Sequence, residues 1–240
     1  MNEDRRIDRL RGGLLGAALL LAPACQVVAP DDGEFHFHSR TYAMGKYVRH
    51  GFIVNDEPVL QEKADVGWGP WTLKTHLNYD TEKRILDQRF AGLEFGTDLG
   101  EDWSLRLLYA YLDFNGFEEL GKTQEVVGVL TYEWEVVTSL FYLHDWDTGK
   151  GNLYELSGRR TFPFDGWSLT PSVVVSYNDE YFTADSDFAH VESMLTGTVP
   201  LADHVNLSAF AAFSDALNDG LGNSRLQDVW WGGLILSGRY

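Results

Sequence analysis

Apolar and polar residues alternate along much of this chain, and the segment "GWSLTPSVVVSYND", residues 166–179, shows the pattern most clearly. Every second residue from Trp167 to Tyr177 is large and apolar, whereas nearly all of the residues between them are small and polar. A period of two is typical of a β-strand with two unlike faces. Because Pro171 has no N–H for a ladder hydrogen bond, we expect a bulge or a missing bond at that residue.

The same alternation recurs about a dozen times, and no stretch with a helical period competes with it. Each segment is close to the 9–11 residues that a tilted membrane strand needs, as a general figure. The pattern therefore predicts an all-β fold, a single antiparallel transmembrane β-barrel of about twelve strands. Besides 166–179, the segments are 35–50, 57–69, 71–80, 87–97, 103–113, 122–134, 135–146, 152–162, 188–199, 204–214 and the closing "VWWGGLILSGRY".

The connections between these segments are of two kinds. Short ones alternate with longer polar ones, although the link at 52–57, "FIVNDE", is short for the second group. Outer-membrane barrels have short periplasmic turns and longer extracellular loops. We therefore expect an outer-membrane barrel with both termini in the periplasm. The short connections are 69–71, 97–103, 133–135, 163–167 and 200–204, and the longer ones are 79–86, 113–122, 144–151, 178–188 and 214–227.

Aromatic residues stand at both ends of several apolar faces. Trp167 and Tyr177 are ten residues apart, or about 23 Å along the membrane normal at a tilt near 45°. That separation matches the apolar band of a membrane barrel, about 25 Å tall and flanked by aromatic girdles. The apolar faces are therefore predicted to contact outer-membrane lipid. The predicted membrane-interface residues are Trp71, Tyr79, Trp103, Tyr111, Trp167 and Tyr177.

The opposite, polar faces should line the barrel interior, and they carry both signs of charge. Two interpretations remain open: the charges form a selectivity lining, or they form an ion-pair network that only keeps the interior polar. The predicted pore-lining residues are Lys63, Asp65, Lys74, His76, Glu94, Arg106, Glu155, Arg159, His190 and Glu192.

The N-terminus resembles an export signal. Four arginines lie between Arg5 and Arg11, and the short apolar run "LLGAALLLAPAC" follows with alanines in an A-x-A arrangement. We predict a signal peptide at 1–24 and the barrel at 25–240. Cys25, the single cysteine, excludes an internal disulfide and stands where a lipoprotein is acylated, but the surrounding motif is poor. Lipidation and cleavage without a lipid both remain open.

The charge and the candidate nucleophiles narrow the possible functions. A net charge of -17 argues against a nucleic-acid partner and favours a mild preference for cations over anions. Ser139 and His144 lie on opposite faces, as do His190 and Ser193, so neither pair forms a nucleophile and its base. The protein is therefore not expected to be an enzyme. No cofactor or metal site is predicted.

The last strand resembles a known signal. Tyr240, Leu236 and Leu234 share one face, and the chain ends on an aromatic residue. This resembles the terminal strand of bacterial outer-membrane proteins, whose last aromatic is read by the barrel assembly machinery. Gly238 departs from the hydrophobic residue that the pattern has near that position. The resemblance implies the assembly machinery as a partner.

A second resemblance lies in "KYVRHGFIVNDEPVLQ", residues 46–61. It resembles the first hairpin of a family of uncharacterised, porin-like outer-membrane β-barrels of Gram-negative bacteria, which has an aromatic, Arg-Gly and an "ND-PVLQ" pattern. His50 stands where the family pattern has arginine. The resemblance implies a porin-like barrel and supplies no catalytic motif.

These observations predict a narrow porin-like channel for passive diffusion of small hydrophilic solutes across the outer membrane of a Gram-negative bacterium. One alternative is a closed structural or adhesion barrel that binds a partner through its extracellular loops. Another is a soluble exported barrel with a ligand inside, but its lumen would have to be apolar. The polar face that carries Lys74, His76 and Arg106 contradicts this last alternative.

Overall fold

The computed structural model describes residues 35–115, 121–217 and 221–240, which form fifteen strands and no α-helix. The predicted signal peptide and Cys25 lie outside the described residues. The strands are β1 (Phe35–Met44), β2 (Tyr47–Arg49), β3 (Phe52–Asn55), β4 (Val59–Trp68), β5 (Trp71–Asp80), β6 (Ile85–Asp98), β7 (Trp103–Asp113), β8 (Lys122–Tyr132), β9 (Val137–Asp145), β10 (Gly151–Arg159), β11 (Phe162–Phe164), β12 (Trp167–Asp179), β13 (Ser186–Ala202), β14 (Val205–Ala216) and β15 (Val229–Arg239).

Twelve of these strands form one closed antiparallel barrel. Each pairs with its neighbour in chain order from β4 to β10, then β10 pairs with β12, and the order continues to β15. The ring closes because β1 pairs with β15 on one side and with β4 on the other. The short strand β11 adds to β12, and β2 and β3 form a separate hairpin. The predicted fold class and the count of about twelve barrel strands are confirmed.

The two faces of the barrel wall differ as the alternation predicts. Large apolar side chains on the outer face are exposed, for example Leu73, Leu140 and Leu156 at 52%, 53% and 55%. No second layer of protein covers them in the described part of the chain. An outer wall of this composition favours contact with hydrocarbon. No helix in that same part of the chain is long and apolar enough to cross a membrane.

The ladder is interrupted opposite Pro171, as expected. β12 runs straight through this proline, but its partner is divided into β10, which ends at Arg159, and β11, which begins at Phe162. Between them the N–H of Arg160 donates to the carbonyl of Pro171 at 3.2 Å, and the proline has no N–H to complete the pair. The bulge in β12 lies elsewhere, between Ser176 and Tyr177.

The first connection differs from the prediction. β1 ends at Met44 rather than near residue 50, and residues 45–58 contain the hairpin of β2 and β3 instead of a short link at 52–57. Apolar residues continue past Met44 because the hairpin is itself largely buried, including all four residues of β3. Periodicity alone cannot distinguish the end of one strand from the start of another.

Both ends of the described chain meet at one end of the barrel. Phe37 and Tyr240 exchange two backbone hydrogen bonds, at 2.8 and 2.9 Å, which ties the last residue to the first strand. Tyr240, Leu236 and Leu234 are exposed on the outer face, as the alternation predicts. We call this end, which carries the short connections, the turn end, and the opposite one the loop end.

Candidate functional site: an inward hairpin and a two-part lumen

The connection at residues 45–58, which we call the inward hairpin, folds into the barrel from the loop end. Its tip is a two-residue turn in which His50 and Gly51 both have positive φ, 51° and 77°. Two successive left-handed residues are the geometry of a type I′ turn, whose twist matches that of paired strands. The tip therefore explains why this segment closes as a hairpin instead of extending the barrel wall.

Apolar side chains of the inward hairpin form the centre of the loop-end core. Phe52 packs with Tyr181 and with Leu143, Leu153 and Leu226 in one buried cluster. A second cluster joins the hairpin residues Tyr47 and Val54 to the wall residues Val59, Ala110 and Leu112 and to the loop residue Phe114. The barrel thus has a hydrophobic core inside its loop end, built around the hairpin.

Charged groups of the hairpin are paired with the wall. Nη2 of Arg49 lies 2.5 Å from Oε2 of Glu125, and the hydroxyl of Tyr181 donates to the other oxygen of that carboxylate at 3.1 Å. Burial by itself lowers the pKa of Arg49, but the Glu125 charge outweighs it and the net pKa is raised. Burial, then the Glu125 charge, raises the pKa of Tyr181. The arginine is therefore held as a cation and the tyrosine as a neutral donor.

Two further contacts hold the tip and the base of the hairpin. Nδ1 of His50 lies 2.9 Å from Oε1 of Glu155. At the base, the amide of Asn55 donates to two buried carboxylates, Asp80 at 2.9 Å and Asp87 at 2.8 Å. Each of these contacts joins the hairpin to a different part of the wall, so together they fix its orientation.

The last loop, between β14 and β15, covers the hairpin. The N–H of Ile53 donates to the carbonyl of Arg225 at 2.8 Å, and the Arg225 guanidinium reaches the carbonyls of Ile53 and Val54 at 3.4 and 3.3 Å. The space left beside the hairpin is about 30 Å³, room for one or two water molecules. The loop end is therefore closed in this structure.

Inward-facing side chains around the whole loop end are buried. The inward hairpin and its covering loops fill this part of the lumen, which we call the loop-side half. Its charges are mainly acidic: the wall carries Asp80, Asp87, Glu125 and Asp145, and the cations near the hairpin are Arg49, Arg225 and the exposed Lys83. The buried wall residues are Val59, Gln61, Asn78, Asp80, Asp87, Gln88, Ala110, Leu112, Thr123, Glu125, Val127, Leu143, Asp145, Leu153, Ser176, Asn178, Ala189, His190, Ala212, Ser214 and Val229.

The turn end has a different lining. A cavity of about 390 Å³ opens there, which we call the turn-side half. Two ion pairs between neighbouring strands lie on its wall, Arg40 on β1 with Asp65 on β4 at 2.6 Å and Lys74 on β5 with Glu94 on β6 at 3.0 Å. Four basic and two acidic side chains line this cavity, and a second cavity of about 550 Å³ at the same end adds the carboxylates of Asp98, Glu101, Asp102 and Glu133. The charged lining residues of the first cavity are Arg40, Asp65, Lys74, Glu94, Arg106 and Arg239.

The structure distributes the ten residues that we predicted to line the pore over three levels. Asp65, Lys74, Glu94 and Arg106 meet in the turn-side half, and Lys63, Glu155 and Glu192 line a central cavity of about 370 Å³. His76 and His190 are buried beside the hairpin, where Gly51 packs on the imidazole of His190. Arg159 lies near the turn end on β10, opposite Ser172, and is exposed.

The six predicted interface residues are all exposed on the outer face. Trp71, Trp103 and Trp167 begin their strands at the turn end. Tyr79, Tyr111 and Tyr177 lie on the same strands near the loop end. They mark two levels on the wall, the arrangement in which aromatic rings meet headgroups.

The hairpin residues that hold the lumen closed were missed by the sequence analysis. Arg49, His50 and Asn55 were placed on a strand or in a loop, and Glu125 was not singled out. One signal was present: the three apolar residues Phe52, Ile53 and Val54 are consecutive in what should be a solvated connection. An exposed loop has no reason to carry such a run.

A serine–histidine contact was also missed. The hydroxyl of Ser176 lies 2.6 Å from Nδ1 of His190, and both side chains are buried beneath the hairpin tip. The hydroxyl of Ser176 is not exposed to solvent in this structure. Within the described ranges, no three or more His, Cys, Asp or Glu side chains come together to hold a metal ion.

Comparison with solved structures fits this geometry. The structure of the NanC porin matches with a TM-score of 0.51 over 84% of this chain and 97% of that one, at 10% identity. The fold is that of the outer-membrane porins. The KdgM porin, solved in complex with disordered oligogalacturonate, matches with a TM-score of 0.48 at 7% identity over 85% and 98% of the chains. Salmonella typhi OmpF matches with 0.44 at 8% identity over 88% and 99%. No family model and no curated protein matches the sequence.

Proposed function

We propose that this porin-type barrel is a narrow outer-membrane channel for passive diffusion of small hydrophilic solutes, and that the inward hairpin limits its conductance. The observation that supports a channel is the open, charged turn-side half, with the central cavity next to it along the lumen. A barrel with a purely structural role needs no such volume. Residues 1–24 would direct export, and the C-terminal strand would engage the assembly machinery.

The loop end would face outward and the turn end the periplasm, as in other outer-membrane barrels. A solute from outside would then meet the inward hairpin first. Passage requires the hairpin to move, because its apolar side chains fill the loop-side half. We therefore expect low conductance at rest, with brief openings when the contacts of Arg49, His50 and Asn55 are released.

The charges of the lumen should influence which ions pass. Selectivity is set where the passage is narrowest and the lining charges lie closest to the ion. That place is the loop-side half, whose wall carries four buried carboxylates. Further carboxylates lie at the turn end. A mild preference for cations therefore remains part of this proposal.

Planar-bilayer recording tests the channel and its selectivity together. The purified protein should give small single-channel steps, and a salt gradient should give a reversal potential of the sign expected for cations. A clear anion preference would show that the turn-side arginines dominate. The complete absence of steps would contradict the channel.

The filled loop end also favours a second candidate, a closed barrel that binds a surface partner through its loops. The loops at 146–150, 180–185 and 221–228 form an outward groove of about 720 Å³ above the hairpin. The recordings separate the two candidates, because a barrel that never opens gives no steps at any voltage.

A further inference from the structure

The central cavity, about 370 Å³, lies between the inward hairpin and the turn-side half. The hairpin residues Tyr47, Val48 and His50 form its roof. The inward positions next along β1 and β4, Arg40 and Asp65, already belong to the turn-side cavity. The volume lies in the range of small-molecule sites, which is about 300–1,000 Å³ in general. The central cavity therefore begins one inward position above the turn-side cavity on these two strands.

One side of this cavity is apolar, which is unusual for the lumen of a membrane barrel. The apolar side chains come mainly from neighbouring strands, β13, β14, β15 and β1, with one from β12. Trp231 and Phe210 supply flat aromatic faces, and the remaining residues are aliphatic. These lining residues are Met44, Val174, Met194, Phe210, Trp231 and Ile235.

Polar groups that lack an ion pair or hydrogen bond within the described residues stand on both sides of this apolar surface. On β4, Nζ of Lys63 lies 4.9 Å from the centre of the Tyr42 ring and makes no ion pair there. Beside it, Nε2 of Gln61 is buried without a hydrogen-bond partner in that same part of the chain. A buried N–H that is left unpaired is destabilising, so a ligand that offers an acceptor to it would be bound more tightly.

The opposite side carries the complementary charge. Glu192 on β13 lines the cavity and has no hydrogen bond or ion pair among the described residues. Glu155 is already paired with His50, which leaves Glu192 as the free carboxylate of the lining. A cation-binding end and an anion-binding end therefore face one cavity, with an apolar surface between them.

The two charged ends lie on separate parts of the wall. β4 and β13 are separated by β1, β15 and β14, the strands that supply most of the apolar surface. Followed through the paired residues of these strands, Lys63 is in register with Pro200, eight residues from Glu192 on β13. A ligand that contacts both ends must therefore extend across the apolar surface, as a short peptide can.

We propose that the central cavity binds short zwitterionic peptides with apolar side chains. The peptide carboxylate contacts Lys63 and Gln61, the ammonium contacts Glu192, and the side chains lie on Trp231, Phe210 and Met194. This rests on the proposed function in one respect: the bound peptide is a solute on its way through the barrel. Binding itself does not require the channel to open.

Calorimetry on the detergent-solubilised barrel tests this with one probe in four forms. The probe is Ala-Leu-Ala with free ends, N-acetylated, C-amidated or blocked at both ends. We expect the free peptide to bind about tenfold more tightly than either singly blocked form, the factor that corresponds to one charge-assisted contact worth about 1.4 kcal/mol. Equal affinity of the free and doubly blocked peptides, or no binding of the free peptide, would overturn the proposal.

Two variants test which residue of the cavity contacts each end of the peptide. Glu192→Gln should abolish the difference between free and N-acetylated peptide, while Lys63→Met should abolish the difference between free and C-amidated peptide. Glu135→Gln is the control, because Glu135 is an exposed carboxylate in the turn between β8 and β9, away from the cavity, and this variant should bind all four forms like the unaltered protein. If Glu192→Gln leaves the N-terminal preference intact, Glu192 is not the cation-binding end and the proposal is wrong.

Conductance measured on the same preparation tests the channel independently of the peptide site. Normal single-channel steps without charge-dependent peptide binding would remove the peptide site only. Charge-dependent binding without any steps would contradict the channel and leave the site in place.

Discussion

The loop-side half and the turn-side half of the lumen are lined by the same twelve strands, yet one is filled and the other is open. In the loop-side half, Leu112, Leu143 and Leu153 are buried against the inward hairpin and its covering loops. In the turn-side half, Arg106 and Arg239 are exposed to a cavity of about 390 Å³. The strand wall is continuous, so the difference comes from one folded-in connection.

The charged groups of the two halves differ in burial and in their partners. Glu125 and Asp87 in the loop-side half are buried, and each has fixed partners from the hairpin. The pair Lys74–Glu94 in the turn-side half lies at the edge of an open cavity. Removing a partner from a buried pair leaves an uncompensated charge, whereas solvated pairs contribute little. The loop-side half should therefore determine stability and closure, and the turn-side half should determine contact with solutes.

Removing the hairpin should have the largest effect on the difference between the two halves. Replacing residues 46–57 by a short Gly-Ser link would empty the loop-side half, and we expect single-channel conductance to rise several-fold or more. A heat-dependent shift in gel mobility would show that the barrel still closes. Conductance unchanged in a folded barrel would mean that the hairpin is not the constriction.

Breaking one buried ion pair should have the second-largest effect. Arg49→Met leaves Glu125 buried without its cation, a change that typically costs about 3–5 kcal/mol. Lys74→Met is the matched control in the turn-side half, where we expect a smaller loss because the open cavity can hydrate the remaining Glu94 carboxylate. Denaturant titration in lipid vesicles gives both free energies of unfolding. Equal losses would contradict the distinction between the halves.

The base of the hairpin gives a smaller effect. Asn55→Ala removes the donor shared by Asp80 and Asp87, and a buried group left without its hydrogen bond costs about 1–3 kcal/mol. More frequent openings in single-channel records are the expected result. Asn206→Ala, in the turn-side half, serves as the control and should leave the opening frequency unchanged. If both variants open equally often, Asn55 does not hold the hairpin.

A change of pH should have the smallest effect, on the frequency of openings. Burial raises the pKa of Tyr47 to about 12, and burial also raises the pKa of Tyr181. Because the unfolded value is near 10, the neutral tyrosines stabilise the docked hairpin fully below pH 10, and this contribution is lost as pH rises toward 12. Openings should become more frequent between pH 10 and 12. In Tyr47→Phe this increase should be smaller, and an identical increase would mean that Tyr47 does not contribute.

The barrel could be predicted from sequence because its signal is repeated on every strand. Alternation identifies the inward and outward faces of "WTLKTHLNYD" or "WSLRLLYAYLD" without any knowledge of their neighbours. Even the interruption opposite Pro171 follows from the chemistry of one residue, its missing N–H.

The inward hairpin could not be predicted in the same way. Its position depends on partners distant in sequence, such as Glu125 for Arg49 and Arg225 for Ile53, separated by 76 and 172 residues. Phe52, Ile53 and Val54 indicated that the connection is buried somewhere, but no local pattern shows whether it packs inside or outside the barrel. The mainly acidic charge of the loop-side half could not be predicted for the same reason.

Cysteine accessibility tests the central claim, a filled loop-side half above an open turn-side half, most directly. In a background in which Cys25 is replaced by serine, Ser214→Cys places a thiol on a buried inward position of β14, and Ser237→Cys places one in the turn-side lining on β15. We expect a small charged thiol reagent to modify the Ser237→Cys protein about a hundredfold faster or more, because the Ser214 position requires local opening. Equal rates in the folded barrel would contradict the account.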